Sequence, residues 1–339
     1  MNFNVLEKLC KANSPSGFEN EVREIIIEEI KGCTDNVKID NIGNLLVFKR
    51  GKATPNVKLL LSAHMDEVGF IVTDITKSGF LTFSPVGGIF PSAVYGNSVV
   101  VGKNRIKGVI TTKPVHLLSA KESNAFCEFD ELYIDIGAKD KDQAEKYVSF
   151  GDFVVFDSFF VADESIIKSK ALDDRIGCAI LIDMIKENLP FDIYFSFVVQ
   201  EEVGLRGAKV AAYQIKPDAC VVVEATTACD ILNVSEEKVV CQLNKGAVVA
   251  FADKGTIYDR KYVNSALQIA KFNNLKVQLK KMVVGGNDSA AINVSGFGVR
   301  TIALSLPCRY LHTAFSAISV KDVENTERLL RLLCREIAF

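Results

Sequence analysis

Imidazole and carboxylate groups recur in this sequence directly after apolar runs. His64 and Asp66 follow VKLLLSA, and Asp173 and Asp174 follow KSKAL. Glu201 and Glu202 follow IYFSFVVQ, Glu224 follows ACVVV, and His312 follows TIALSLPCRYL. The chain has only three histidines, His64, His116 and His312, so a site that needs imidazole draws on these. Nitrogen and oxygen donors without thiolate suit zinc, cobalt or manganese. Two such ions held close together need a bridging carboxylate, terminal ligands for each ion and an open position for water. A pair of that kind lowers the pKa of the water and polarises a scissile carbonyl. A further carboxylate then moves the proton, and the tandem Glu201-Glu202 offers a base and a ligand side by side.

Each piece has a second reading. His64-x-Asp66 also suits a structural hydrogen bond, and Asp173-Asp174 also suits a helix N-cap. Glu201-Glu202 also reads as the solvated start of a helix, and His312 as a hydrogen-bonded core histidine. Glu224 is costly to bury unless it is paired. What joins them is position. In open α/β sheets ligands gather outside the carboxyl ends of strands, and all five places follow apolar segments of that kind.

The elements that must carry these residues are legible from periodicity. Ser16-Gly-Phe-Glu19 reads as a capping box ahead of the helix VREIIIEEIKGC. Residues 72–161 hold short apolar runs broken by Gly and Pro, the pattern of a small β domain. From 162 onward helices and strands alternate, and Ser319 with Asp322 reads as the cap of the last helix. The expected architecture is an α/β domain formed by residues 1–71 and 162–339, with residues 72–161 inserted as a β unit.

Bulk composition excludes several classes. Hydrophobic residues make up 48% and charged residues 24% of 339, an ordinary globular balance. The net charge of -2 gives no field to attract nucleic acid or an anionic membrane, and no apolar run is long enough to span a bilayer. Nine scattered cysteines without a Cys-x-x-Cys pair fit buried thiols in the reducing cytoplasm, the expected location. No phosphate-binding glycine loop is present.

With those motifs in view, the sequence resembles the TET-type (tetrahedral) co-catalytic metallo-aminopeptidases, which include glutamyl and leucyl aminopeptidases and some members labelled endoglucanase. The resemblance spans nearly the whole chain. It rests on Ser14-Pro-Ser16-Gly17-Phe-Glu19, Asp40-Asn-Ile-Gly43-Asn44, Ala63-His64-Met65-Asp66-Glu67-Val68-Gly69-Phe70 and Lys170-Ala-Leu-Asp173-Asp174-Arg175-Ile-Gly177. It continues in Glu201-Glu202-Val-Gly-Leu-Arg-Gly-Ala208, Gly285-Gly286-Asn-Asp288 and Arg309-Tyr-Leu-His312.

The resemblance implies a zinc-exopeptidase-like three-layer α/β/α domain with an inserted β-barrel-like domain. It implies His64 and Glu224 on one metal, Glu202 and His312 on the other, and Asp173 between them. Glu201 would be the general base, and Asp66 would hold the far nitrogen of His64. It further implies two divalent ions per subunit, peptide substrates, and homo-oligomers from dimers to tetrahedral dodecamers. Departures from the family pattern surround the ligands. Glu224 replaces a frequent Asp, Thr313-Ala314-Phe315-Ser316 follows His312, and Asn287 precedes Asp288 where Thr is common. Gly87-Gly88-Ile89-Phe90-Pro91 lacks a frequent Trp-Asp-Pro. Asp288 is a candidate for holding the substrate amine, and His116 for a structural, subunit-contact or pocket-edge role. A deacylase or carboxypeptidase on the same metals, or a scaffold that has kept the fold, are the competing readings.

Overall fold

A computed structural model describes residues 1–34, 36–117, 119 and 127–339 of the chain. Its central strands are the apolar runs named above. In chain order they are β1 (Asn36–Ile39), β2 (Leu45–Lys49) and β3 (Leu59–His64). The next six are β4 (Gly69–Ile75), β5 (Leu81–Val86), β6 (Ser98–Val101), β7 (Ile106–Thr111), β8 (Tyr133–Asp135) and β9 (Phe153–Phe156). After these come β10 (Val161–Ala162), β11 (Ile166–Ser169), β12 (Ile193–Val198) and β13 (Ala219–Thr227). The last four are β14 (Ala247–Val249), β15 (Val277–Leu279), β16 (Arg300–Arg309) and β17 (Ser316–Ser319). The helices are α1 (Phe3–Lys11), α2 (Asn20–Ile30), α3 (Lys141–Ala144), α4 (Leu172–Lys186), α5 (Arg206–Ile215), α6 (Arg260–Phe272), α7 (Ser289–Asn293) and α8 (Val320–Ala338).

The main sheet has the order β1-β2-β12-β3-β13-β16-β17-β11-β10, with β14 and β15 branching from β16. Its middle strands β12, β3, β13 and β16 are parallel. They are apolar almost throughout because helices cover both faces, so a period-2 alternation has no solvent side to serve. Helix α4 packs on β3 and β13, with α1 and α2 outside it. Helix α8 packs on β16 and β14 and against α6. The result is the expected α/β/α sandwich.

The second sheet is a closed barrel, β4-β5-β8-β7-β6-β9. Phe70 fills it, meeting Phe83 and Phe156 edge-to-face at 5.0 and 5.5 Å between ring centroids. Closure leaves the six short strands without an open edge. The barrel's first strand begins at Gly69, inside the run that the sequence pattern attaches to the α/β unit. Gly69 sits where any Cβ would lie 2.6 Å from the Val154 carbonyl, so the chain crosses from sheet to barrel through a residue with no side chain.

Two expected caps are corrected. Ser16 does not cap α2: its hydroxyl donates to Asp66 at 2.6 Å, and Glu19 accepts the backbone N–H groups of Gly17 and Gln200. Ser319 and Asp322 do not cap α8 with their side chains. The Asp322 carboxylate accepts the N–H groups of Asn244 and Gly246, and the Ser319 hydroxyl donates to Asn244. In each case a capping signature is spent on a distant loop, a partner that local spacing does not reveal.

Candidate metal centre

The carboxyl ends of the parallel strands bring the candidate residues together. His64 ends β3 and lies level with Val198, the last residue of β12, so Glu201 and Glu202 emerge in the loop beside it. Glu224 lies within β13 rather than beyond it, since that strand continues to Thr227, paired with β16. His312 follows the end of β16, and Asp173 sits at the start of α4.

Asp173 occupies the centre of the cluster. Its Oδ1 lies 3.3 Å from His64 Nε2, which is itself 3.5 Å from Glu224 Oε1. Its Oδ2 lies 3.4 Å from His312 Nε2, which is 3.2 Å from Glu202 Oε1. One carboxylate therefore faces two imidazole–carboxylate pairs, one with each oxygen. The donor atoms of His64, Asp173 and Glu224 lie within 4.8 Å of one another, and so do those of Asp173, Glu202 and His312. Those of His64, Glu201 and Glu202 form a third such group.

The two aspartates divide the readings that the sequence left open. Asp173 turns into the cluster, while Asp174 serves the helix by accepting the N–H of Gly177 at 3.0 Å. Asp174 also accepts the N–H of His64 at 3.3 Å, tying α4 to β3. The peptide between them is cis.

The far ring nitrogens hold the imidazoles in place. His64 Nδ1 lies 3.0 Å from the Asp66 carbonyl oxygen and 3.5 Å from its carboxylate. The Asp66 carboxylate, expected to hold this nitrogen, lies beside it and pairs with the ring, while the residue's own backbone oxygen lies nearer. The carboxylate also accepts the Ser16 hydroxyl and the N–H groups of Glu201 and Glu202, at 3.0 and 3.1 Å, so it orients the tandem glutamates. His312 Nδ1 lies 2.8 Å from the carbonyl oxygen of Gly88, in the segment after β5 of the barrel. A ring that donates from Nδ1 turns Nε2 toward Asp173 and Glu202, where it carries a proton in the absence of metal and can offer a lone pair to an ion that displaces that proton. Sequence reasoning missed Gly88, because a backbone carbonyl carries no residue-type signal.

The backbone near the site is strained where side chains must be aimed. Ala171, Gln200 and His312 adopt left-handed conformations at φ of 55°, 56° and 59°. Such residues persist only where their surroundings hold them, and they gather at functional sites.

Electrostatics favour positive charge in this cleft. Burial pushes the carboxyl groups of Glu201, Glu202 and Glu224 above the usual range. Burial also works against ionised Asp173, but its bonds to His312 and His64 prevail and hold it below that range. Burial opposes the charged form of His312, and its bonds to Asp173 and Glu202 outweigh this and lift it to about 11. Four carboxylates crowd around two imidazoles, and the cluster holds protons in place of other cations. The donor set, its two-lobed arrangement and this demand for positive charge all fit a pair of divalent ions.

Behind the cluster is a buried ion group. The Glu67 carboxylate accepts two bonds from Lys170 Nζ at 2.6 and 2.7 Å, one from Arg175 at 3.3 Å, and the N–H of Ser14. All three charged residues are within 3% of full burial. They flank Asp66 and Asp173 in sequence, so the same salt bridge fixes both loops.

In front is a cavity of about 880 Å³, lined by the cluster and by β13 beyond Glu224. Asp288 does not line it. Asp288 is buried in its own loop, its carboxylate oxygens lack a hydrogen-bond partner among the described residues, and burial lifts it to about 7. His116 lies exposed in a short turn, outside the cluster.

The model of the M42 glutamyl aminopeptidase family matches residues 43–329. The chain is 30% identical to the lysyl aminopeptidase of Pyrococcus furiosus, over 99% of this chain and 98% of that one. It superposes with a TM-score of 0.93 on the TET aminopeptidase of the marine sediment archaeon Thaumarchaeota archaeon SCGC AB-539-E09, at 33% identity and over 98% and 95% of the two chains. It superposes at 0.85 on the TET1 peptidase of Pyrococcus horikoshii, which assembles into a tetrahedron or a large octahedral shell, at 34% identity and over 99% of both. The parallel sheet, the closed barrel and the aspartate between two histidines thus belong to a chain of the M42 aminopeptidase family.

Proposed function

We propose that this chain is a metal-dependent aminopeptidase that removes N-terminal residues from peptides at a two-metal centre. The observation that carries this reading is the placement of Asp173, one oxygen toward His64 and Glu224 and the other toward His312 and Glu202. His64, Glu224 and Asp173 would hold one ion, and Glu202, His312 and Asp173 the other, with zinc the first choice and cobalt or manganese also suited. When bound, such a pair acidifies a shared water and polarises the scissile carbonyl.

The remaining work falls to the chain itself. Glu201 is held by its backbone N–H to Asp66 and lifted in pKa by burial, so it can take a proton from water and return it to the leaving amine. Asp66 and Glu67 keep the ligand loops in register. The concentration of carboxylates at this end of the cavity attracts the free α-amine that an exopeptidase must recognise.

We assign residues 1–71 and 162–339 to the catalytic unit and residues 72–161 to a unit that builds homo-oligomers, from a dimer up to a tetrahedral dodecamer. Likeness to the P. horikoshii peptidase supports this, as do the exposed rings of Phe90, Tyr95, Tyr147 and Phe150 in that stretch. Among the described residues no helix is long and apolar enough to cross a membrane. Nine unpaired cysteines favour the cytoplasm.

The test is metal analysis after reconstitution, combined with a kinetic panel of aminoacyl, N-acyl and C-terminal peptide substrates. Two ions per chain and cleavage confined to substrates with a free N-terminus are expected. Hydrolysis of N-blocked substrates alone would instead identify a deacylase or carboxypeptidase.

A further inference from the structure

Two of the sequence motifs, Ser14-Pro-Ser16-Gly17-Phe-Glu19 and Asp40-Asn-Ile-Gly43-Asn44, contribute nothing to the ligand set. Both reach the site from behind and meet it at the backbone. Strand β12 ends at Val198, and the next four residues lead through Glu201 to Glu202. Each of the four donates its N–H to a side-chain oxygen from a distant segment. Val199 donates to Asn44 at 3.0 Å, Gln200 to Glu19 at 3.1 Å, and Glu201 and Glu202 to Asp66 at 3.0 and 3.1 Å. All three accepting side chains are buried.

The acceptors are themselves held. Asn44 spends its amide hydrogens on Asp40 and on the Gly207 carbonyl, at 2.8 and 2.9 Å, which leaves its oxygen to accept. Glu19 Oε1 also accepts the N–H of Gly17 at 2.7 Å, which ties the carboxylate to its own turn. That turn is joined to the loop after β3: Ser16 N–H donates to the Glu67 carbonyl and Glu67 N–H to the Ser14 carbonyl, at 3.3 and 3.2 Å.

The partner of Glu19 is the strained one. Gln200, directly before the proposed base, is left-handed with φ of 56°. A residue with a side chain keeps that conformation only where its surroundings enforce it. Its carbonyl and side-chain oxygens accept from Arg206, further along the same loop, while the bond to Glu19 ties it to another part of the fold. We propose that Glu19 is a positioning residue for the hydrolysis: through the N–H of Gln200 it sets where the Glu201 carboxylate stands. The inference rests on Glu201 as the base in the function proposed above. Without the Glu19 oxygen, Gln200 can relax toward negative φ, and the Glu201 side chain swings out of line with Asp173. A displacement of about 1 Å in a reacting group can cost about 10²-fold in rate. Glu19 is not among the residues that line the cavity, so the loss falls on turnover rather than on substrate binding.

The experiment measures kcat and KM on whichever substrate of the panel above wild type cleaves best. The metal-loaded proteins are wild type, Glu19→Ala, Glu19→Asp, Glu19→Gln, Glu201→Gln and the double variant Glu19→Ala with Glu201→Gln. Glu19→Ala should lower kcat roughly 10- to 100-fold, with KM within about 3-fold and metal content unchanged. Glu19→Asp, whose oxygen is drawn back by a methylene, should move the same way. Glu19→Gln keeps an accepting oxygen and should stay within about 5-fold of wild type. Because Glu19 acts through Glu201, its truncation should add less than about 2-fold to the loss in Glu201→Gln.

An equal loss in both backgrounds would overturn the inference, since Glu19 would then serve the structure at large. So would a Glu19→Ala protein whose kcat stays within about 3-fold of wild type. Wild-type activity in Glu201→Gln would overturn it together with the choice of base, and leave the aminopeptidase reading standing. Hydrolysis of N-blocked substrates alone would overturn that reading, while the same cycle run on those substrates still decides for Glu19. A metal-loaded wild type that cleaves nothing in the panel would overturn both. Should Glu19→Ala fail to fold, as judged by its thermal melt, Glu19→Asp takes its place in the cycle.

Discussion

Replacing Glu67 with glutamine changes two atoms' chemistry and almost no volume, yet it strikes the salt bridge that fixes both ligand loops. In wild type the buried group holds two cations and one anion, with Lys170 at 2.6 and 2.7 Å and Arg175 at 3.3 Å from the carboxylate. Glutamine leaves two buried cations with no anion. Breaking a buried pair by removing one partner costs about 3–5 kcal/mol. With a urea slope of about 3 kcal/mol/M, the midpoint should fall by about 1–2 M. The sequence contains no tryptophan, so unfolding is followed by far-ultraviolet circular dichroism on metal-free protein, where ligand binding cannot mask the loss.

The same reasoning sets the sign of a pH effect. Burial already holds the Lys170 pKa below 10.5 in the folded state, and Glu67 opposes that shift. Without Glu67 the folded pKa falls further, so between the folded pKa and 10.5 the unfolded chain binds more protons. Stability of the variant should therefore rise with pH across that window. Lys170→Met added to Glu67→Gln should recover part of the loss by removing one of the unpaired charges. A Glu67→Gln protein within about 1 kcal/mol of wild type, or one whose stability falls toward pH 10, would refute the reasoning.

Other outcomes follow from the same geometry. Glu201→Gln should keep metal content near normal while lowering kcat about 10²–10⁴-fold, measured by single-turnover kinetics beside metal analysis, because the residue acts on protons rather than as one of the five proposed ligands. Asp173→Ala removes the carboxylate shared by both histidines, so calorimetric titration with zinc should lose both binding events together. Gly207→Ala places a Cβ 2.3 Å from the Val199 carbonyl and 2.4 Å from the Asn44 side-chain oxygen. It should cost about 1–3 kcal/mol in urea unfolding, since backbone must move to admit it.

The residues that could hold metal were legible because each of their types is expensive where it stands. Glu224 in the middle of ACVVVEATT had to find a partner, and it finds His64. The layering was legible too, since strands covered on both faces read as unbroken apolar runs. What stayed hidden were contacts between segments far apart in sequence. Ser16 and Glu19 carry a capping pattern, but their side chains serve Asp66 and the loop before Glu201. Ser319 and Asp322 do the same for the loop at Asn244. The boundary at Gly69 was obscured because one apolar run serves two sheets in turn. Lys280 drew no notice in KVQLKKMVV, which reads simply as a strand, and only the folded chain shows that it lines the cavity.

The bond from the Gly88 carbonyl to His312 has a corollary for how such a chain can diversify. The His312 imidazole takes its orientation from the barrel, whose core also takes in Ala314, two residues further along the same loop. Excising or swapping that insertion would free the ring to rotate, so the module is tied to the chemistry and cannot drift as a mere spacer. Packing forces applied to its outer surface have a direct mechanical route to His312, through the Gly88 carbonyl oxygen and through Ala314.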